Sequence, residues 1–452
     1  MADTTPSWLS TAVLYEVFVR NHGPEGGFNA VRQDLDRIRA LGTDILWLMP
    51  IHPIGEKNRN GTVGSPYAIR DYAAINPELG NEASFRALVD AAHGLGMRVI
   101  LDVVFNHTSP DSRLAVEHPE WFLRNAAGCP IPKFPEWADI VDLRYASPEG
   151  TRFEALWDLQ IETLGRWIDL GVDGFRCDVA SVVPPEFWAM ARERLDRRAG
   201  PERTVVWLAE TVHKHFLKYM RDRGFPAWSD PEVLQVFDLS YDHDGAEYLD
   251  AYFSGKKPLA AYLDHLLVQE TMNPAKSLKL RFVENHDLPR AADKIRGGDR
   301  LRCWTAFQAL LPGAFLVYAG QEFRATHRPD LFHRDPIALG EPGSDPTFVP
   351  FLQNLLALAK RIKSQCRYFE AREVVTGVVE LRWTNWIPGT EPPEAGGLRY
   401  TALVNLEDRF GTFDLGRTVG GSNLLGEGEV RFEGSGALPR GPVVVEETVP
   451  RR

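Results

Sequence analysis

Four stretches of this chain end in side chains able to do proton and nucleophile chemistry. DVVFNH carries Asp102, Asn106 and His107; GFRCDVA carries Arg176 and Asp178; TVVWLAE ends at Glu210; LKLRFVENHD ends at Glu284, Asn285, His286 and Asp287. Arg176 and Asp178 are two residues apart and so face the same side of a strand. Paired carboxyl groups suit one reaction in particular, in which one attacks or stabilises a cationic carbon while the other protonates a leaving oxygen. Glycoside hydrolysis needs such a pair, and in a retaining enzyme the two groups lie roughly 5 Å apart, a separation that neighbouring strand ends provide. The guanidinium of Arg176 is expected to keep Asp178 ionised, leaving Glu210 to carry a proton. Metal-assisted hydrolysis is the chemical rival, since His107, Asp178, Glu210, His286 and Asp287 are all metal-ligand types. A close arginine opposes a divalent cation, however, and no HxH or HExxH spacing is present to clamp one.

These residues need elements that bring them together. From residue 12 to 366 short apolar runs alternate with stretches of helical period, the pattern of repeated βα units. Eight strands are expected: AVLYEVFV from Ala12, ILWLMP from Ile45, RVILDVVF from Arg98, GFRCDVA from Gly174, TVVWLAE from Thr204, LQVFDLS from Leu234, LKLRFVEN from Leu278 and AFLVYAG from Ala314. Between them lie amphipathic segments, one striped by Phe28, Val31, Leu35, Ile38 and Leu41, another capped by Asn81 and carrying Phe85, Leu88, Val89 and Ala92. Eight parallel strands with right-handed helical crossovers close into a (β/α)8 barrel, in which polar residues at the C-terminal strand ends converge on one face. An open doubly wound sheet is the rival topology, but no Gly-rich phosphate loop follows the first strand.

Two departures from the repeat complete the expected architecture. About 40 residues separate the third strand from a helix expected near Glu149, and HPEWFLRNAAGCPIPKFPEW within them reads as a short lobe overhanging the barrel. After Cys366 short strands with Gly and Pro turns, such as EVVTGVVELRW and LRYTALVNL, read as an antiparallel β-sandwich. The expected units are therefore the barrel over 1–107 and 149–366, the lobe over 108–148 and the sandwich over 367–452.

Composition narrows the partners. A chain of 452 residues, 44% hydrophobic, can bury a large core, and a formal charge of −11 offers no attraction to nucleic acid or anionic membrane. The opening MADTTPSWLS lacks the pattern of a signal peptide and no run of about 18 apolar residues follows, so a cytoplasmic location is expected. The four cysteines, Cys129, Cys177, Cys303 and Cys366, show no CxxC pairing and read as buried reduced thiols.

Taken together, DVVFNH, GFRCDVA, WLAE and FVENHD resemble, in order and separation, the four signature regions of the α-amylase family, glycoside hydrolase family thirteen. The resemblance extends to GTDILWLMPIHP and SPYAIRDYAAINPELG. It implies that Asp178 is similar to the family's nucleophile, Glu210 to its acid/base and Asp287 to the carboxylate that supports the distorted sugar. It also implies that Arg176 orients the nucleophile, that His107 and His286 hydrogen-bond the sugar, and that Tyr67 stacks on it. The implied reaction is double displacement with retention, needing no cofactor. The implied partner is an oligosaccharide.

Where the chain departs from the family, the expectations become narrower. Starch endo-amylases often carry Lys-His shortly after the nucleophile, whereas Ser181, Val182 and Val183 stand here. Asn106 matches one calcium ligand of the family, but ADIVDLRY at the lobe's end offers no cluster of acids, so structural calcium is an open alternative and no metal is required. Val179 after the nucleophile, and Arg290 in HDLPR, resemble members acting on short oligosaccharides, with Arg290 the candidate to grip a sugar end. Hydrolysis of α-glucosidic bonds in short malto-oligosaccharides or related glucans is the leading expectation. Transglycosylation or sugar isomerisation through the same intermediate is the alternative, and a non-catalytic sugar-binding relative the remaining one.

Overall fold

A computed structural model describes residues 5–340 and 345–451. The opening MADT, and residues 341–344 and 452 within the expected domain bounds, lie outside the described residues. Eight strands form a closed parallel barrel: β1 (Val13–Val17), β2 (Ile45–Leu48), β3 (Arg98–Val103), β4 (Gly174–Cys177), β5 (Val206–Ala209), β6 (Leu239–Tyr241), β7 (Leu278–Arg281) and β8 (Ala314–Tyr318). Each strand pairs with its sequence neighbours and β8 closes on β1, with Val13 opposite Phe315 and Glu16 opposite Tyr318. The strands are buried on both faces, which is why they read as nearly continuous apolar runs.

Alternation along the strands sorts the barrel interior by height. Leu14, Ile45, Trp47, Ile100, Val206, Leu208, Leu280 and Leu316 form an apolar plug, and the next inward positions toward the C-terminal end are Glu16, Asp102 and Arg176. The polar layer thus sits on a dry floor. Gly174 permits close approach of β4 and β5, because a Cβ there would lie 2.2 Å from the carbonyl oxygen of Val206.

Helices cover the barrel where periodicity places them. Phe28, Val31, Leu35, Ile38 and Leu41 are all buried, the first four on two short helices, Gly27–Gln33 and Leu35–Ala40, and Leu41 at the C-cap of the second. Asn81 caps Glu82–Gly94 by accepting from the backbone N–H of Ser84 at 3.0 Å. Two boundaries differ from expectation. The helix expected near Glu149 spans Glu154–Asp169, because Ser147 to Thr151 close a turn in which Gly150 takes φ of 87°. The sixth strand begins at Leu239 rather than Leu234, since Asp230–Val233 is a helical turn that carries Leu234 with it. Asp238, just before β6, accepts the N–H of Trp207 at 3.0 Å and ties the entry of β6 to β5.

The lobe after β3 is anchored by a two-residue ladder, His107–Thr108 against Val141–Asp142. Beyond the barrel's last helix, Phe348–Gln365, four antiparallel strands, Tyr368–Val375, Val378–Thr384, Gly397–Asn405 and Val443–Val449, form one sheet in that order. A long ribbon, Thr412–Ser422 with Glu429–Ala437, faces it, and Leu403, Phe413, Val419, Phe432 and Val445 fill the space between. Among the described residues no helix is long and apolar enough to cross a membrane. Cys177, Cys303 and Cys366 are buried free thiols; Cys129, expected to be buried, is exposed on the lobe.

Candidate active site

At the C-terminal mouth of the barrel one guanidinium organises the acids. Arg176 is fully buried; its Nη1 donates to Asp102 Oδ1 and to Asp178 Oδ1, each at 2.8 Å, and Nη2 lies 3.0 Å from Glu210 Oε2. Three aromatic rings, Trp47, Tyr241 and Tyr67, surround it at 5.4, 5.4 and 5.6 Å from their centroids, a cage that excludes water and strengthens each ion pair. Asp178 Oδ2 has no hydrogen-bond partner among the described residues and lies 4.0 Å from His107 Nε2. This is a carboxylate held by one oxygen with the other left free.

Glu210 follows β5 and is placed by an unusual backbone. Val179 adopts a left-handed conformation, φ 43° and ψ 41°, costly for a β-branched residue. In that conformation its N–H donates to Glu210 Oε2 at 2.8 Å. The acid after β5 is thus tied to the residue that follows Asp178.

The charges divide differently from expectation. Burial and the neighbouring charge of Glu210 push Asp178 well above its usual range, against the pull of Arg176. Burial also pushes Glu210 upward, but Arg176, His243 and the Val179 N–H outweigh it and hold the group below its usual range. Asp102 is pushed up to about 6, mainly by burial. The expectation that Arg176 ionises Asp178 and leaves Glu210 with the proton therefore needs correction for this geometry, because Arg176 reaches both acids. The two carboxyls titrate as a pair sharing the cation.

On the opposite wall Tyr67 donates to Asp102 Oδ2 at 3.0 Å and meets His286 Nε2 at 2.7 Å. His286 also lies 3.2 Å from Asp287 Oδ2, and Asn285 Oδ1 accepts the N–H groups of Asp287 and Leu288 at 3.0 and 3.1 Å. Asp287 is 43% exposed and faces the opening. His286 Nδ1 pairs with Glu16 Oε1 at 2.5 Å. Glu16, on β1 and fully buried, is absent from the sequence-based set; its only signal is an acid inside the apolar run AVLYEVFV. Burial lowers the pKa of His107 to about 4, so its ring is neutral.

Arg290, expected to grip a sugar, does not belong here. It is buried, donating through Nη1 to Glu284 Oε1 at 2.6 Å, through Nε to the His327 carbonyl at 3.1 Å and through Nη2 to the Ala319 carbonyl at 2.9 Å. It knits the loop after β7 to that after β8. On the lobe, Phe134 packs with Val179, Val182 and Phe216, and Trp137, 40% exposed, stands edge-on against Phe134 at 4.6 Å.

Asn106 is where calcium was an open alternative, and the residues present do not fit that ion. Its Oδ1 accepts from the Lys133 ammonium at 2.7 Å, and the same ammonium donates to Asp142 Oδ1 at 2.9 Å. Among the described residues no three His, Cys, Asp or Glu side chains are arranged to hold a metal ion.

Fold and site define a (β/α)8-barrel protein whose strand ends gather acids around one arginine. The pattern of the α-amylase catalytic domain matches residues 5–124. An α-amylase structure from Lactobacillus plantarum is 38% identical, with a TM-score of 0.88 over 98% of this chain and 100% of that one. An α-amylase, MalA, from Haloarcula japonica is 30% identical over 72% of this chain and 46% of its own length. An α-1,4-glucan:maltose-1-phosphate maltosyltransferase from Rhodospirillum rubrum is 38% identical over 56% of this chain and 40% of its own. The chain thus spans less than half the length of these curated relatives. It belongs to the α-amylase family, glycoside hydrolase family thirteen.

Proposed function

We propose that this chain is a retaining α-glycosidase acting on α-glucosidic bonds in short malto-oligosaccharides or related α-glucans, in the cytoplasm. The observation that carries the reading is the unpartnered Oδ2 of Asp178, held within the same Arg176 cluster as Glu210. Asp178 Oδ2 attacks the anomeric carbon while Glu210 protonates the departing glycosidic oxygen, giving a β-linked glycosyl enzyme. Glu210 then takes a proton from water as that water attacks the same carbon and frees Asp178. Tyr67, His107, His286 and Asp287 line the position of the reacting sugar.

Arg176 Nη2 lies 3.0 Å from Glu210 Oε2, so protonating a glycosidic oxygen requires Glu210 to leave that contact. When Glu210 turns from the guanidinium toward the glycosidic oxygen it loses its cation, which raises its proton affinity. Asp178 simultaneously loses a neighbouring negative charge and keeps its bond to Arg176, which lowers its own. One side-chain movement thus shifts the pair toward the protonated Glu210 and ionised Asp178 that the first step needs.

Transfer to a sugar acceptor is the second reading, supported by the aromatic wall of Phe134 and Phe216 beside Val179 and by likeness to a maltosyltransferase. Wild type and Glu210→Gln, incubated with α-1,4, α-1,6 and α-1,1 linked oligosaccharides, test both readings when products are resolved by size and anomeric form. Expected are α-configured products and a loss of about a hundredfold or more in the variant; larger or rearranged products at high substrate favour transfer. Equal activity of the two proteins would overturn the role given to Glu210.

A further inference from the structure

The cation that joins the lobe to the barrel is a side chain of this protein. Lys133 lies in the lobe, its side chain only 10% exposed, against the fully buried side chain of Asp142. Its backbone N–H donates to Asp142 Oδ2 at 2.7 Å while its Nζ donates to Asp142 Oδ1 and Asn106 Oδ1. Asn106 follows β3 and Asp142 belongs to the lobe's anchoring ladder, so one ammonium spans the seam between the two.

An ammonium has only protons to offer, so Asn106 must turn its oxygen toward Lys133. The amide nitrogen then points the other way. It donates to Asp142 Oδ1 at 2.9 Å and meets His107 Nδ1 at 3.1 Å. An amide NH2 is only a donor, so Nδ1 accepts and the ring proton resides on Nε2, which lies 4.0 Å from Oδ2 of Asp178. Lys133 therefore sets the tautomer of His107 through Asn106.

We infer that Lys133 is a positioning residue that performs, as a built-in monovalent cation, what a structural divalent cation would do at this seam, making the lobe independent of calcium. A calcium ion also binds amide and carboxylate oxygens and would impose the same orientation on Asn106. Removing the ammonium leaves two oxygens facing a vacated position, beside a cavity of about 330 Å³ lined by Lys133, Leu123, Val182 and Phe225. The functional half of the inference rests on the glycosidase reading; the stability half does not.

The test uses the full chain, with thermal denaturation and oligosaccharide cleavage measured in excess EDTA and in excess CaCl2. Wild type is expected to give coinciding melting curves and equal rates in both. Lys133→Ala is expected to melt earlier and lose about 10–100-fold in kcat/KM in EDTA, with both recovering in CaCl2. Lys133→Met, which fills the position without charge, is expected to show the same losses with no recovery. The inference is overturned if EDTA lowers the melting point or rate of wild type, if Lys133→Ala keeps wild-type activity, or if calcium restores neither property of that variant. Should both variants fail to fold, the wild-type comparison in EDTA still decides calcium independence. Absence of cleavage on every substrate would refute the glycosidase reading while leaving the melting comparison intact.

Discussion

At the scale of single residues, the acid that sequence reading passed over carries a clear consequence. Burial pushes His286 down, but Asp287 and Glu16 outweigh it and hold the ring at about 9, with Arg176 opposing them. An unfolded histidine titrates near 6.5, so between these values the native state binds a proton that the unfolded chain lacks. This contribution to stability is fully present below about pH 6.5 and is lost as pH rises through about 9. Glu16→Gln removes one of the two supporting charges, so its melting temperature is expected to lie below wild type at the acid end of the window and to fall less steeply across it. Melting curves of the two proteins from about pH 6 to pH 9.5 measure this; parallel profiles would show that Glu16 does not hold the proton. Asp178, Glu210 and Arg176 are legible because acids ending apolar strands stand out. Glu16 is obscured because it sits within one, and Lys133 because its partner Asn106 is 27 residues away in an aperiodic lobe. Arg290 shows the opposite error: its place after Asp287 draws attention, yet only the fold reveals that backbone carbonyls and Glu284 have already engaged its donors.

At the scale of elements, the barrel strands are readable because burial on both faces leaves continuous apolar runs, and the misplaced start of β6 falls where that signal is imitated. Leu234, Val236 and Phe237 are buried like strand residues, but they belong to the turn that feeds β6. No periodicity argument separates a short buried turn from a short buried strand. Gly174 at the start of β4 marks where the strands tolerate least change. Gly174→Ala would press a methyl group against the Val206 carbonyl at 2.2 Å, and backbone cannot retreat as a flexible side chain can. A loss of about 1–3 kcal/mol or more is expected from such overpacking, together with reduced activity because β4 carries Arg176 and leads directly to Asp178. Chemical denaturation checks the first and cleavage rates the second. Wild-type stability in the variant would mean that β4 and β5 can separate at little cost.

At the scale of the molecule, the sandwich and barrel share one hydrophobic cluster and are joined by two indoles that cross the seam in opposite directions. Trp304, on the barrel helix Gly298–Leu310, donates to the carbonyl of Leu406 in the sandwich at 3.0 Å. Trp383 of the sandwich donates to the carbonyl of Leu310, the last residue of that helix, at 2.8 Å. Val379, Leu381, Tyr400, Ala402 and Val404 of the sandwich lie in the same hydrophobic cluster as the barrel's outer core, so one apolar cluster spans both. A joint of this kind couples unfolding, because opening it would expose Trp304 and leave buried carbonyls without donors. Trp383→Phe keeps most of the packing and removes one hydrogen bond; it is expected to cost about 0.5–1.5 kcal/mol and lower the melting temperature without dividing the transition. Removing residues 367–451 uncovers the helix face altogether and is expected to yield an insoluble barrel. Scanning calorimetry distinguishes the possibilities: a single peak in wild type and Trp383→Phe supports one cooperative core, whereas two resolved peaks in wild type would make the sandwich an independent unit and the paired tryptophans a surface contact.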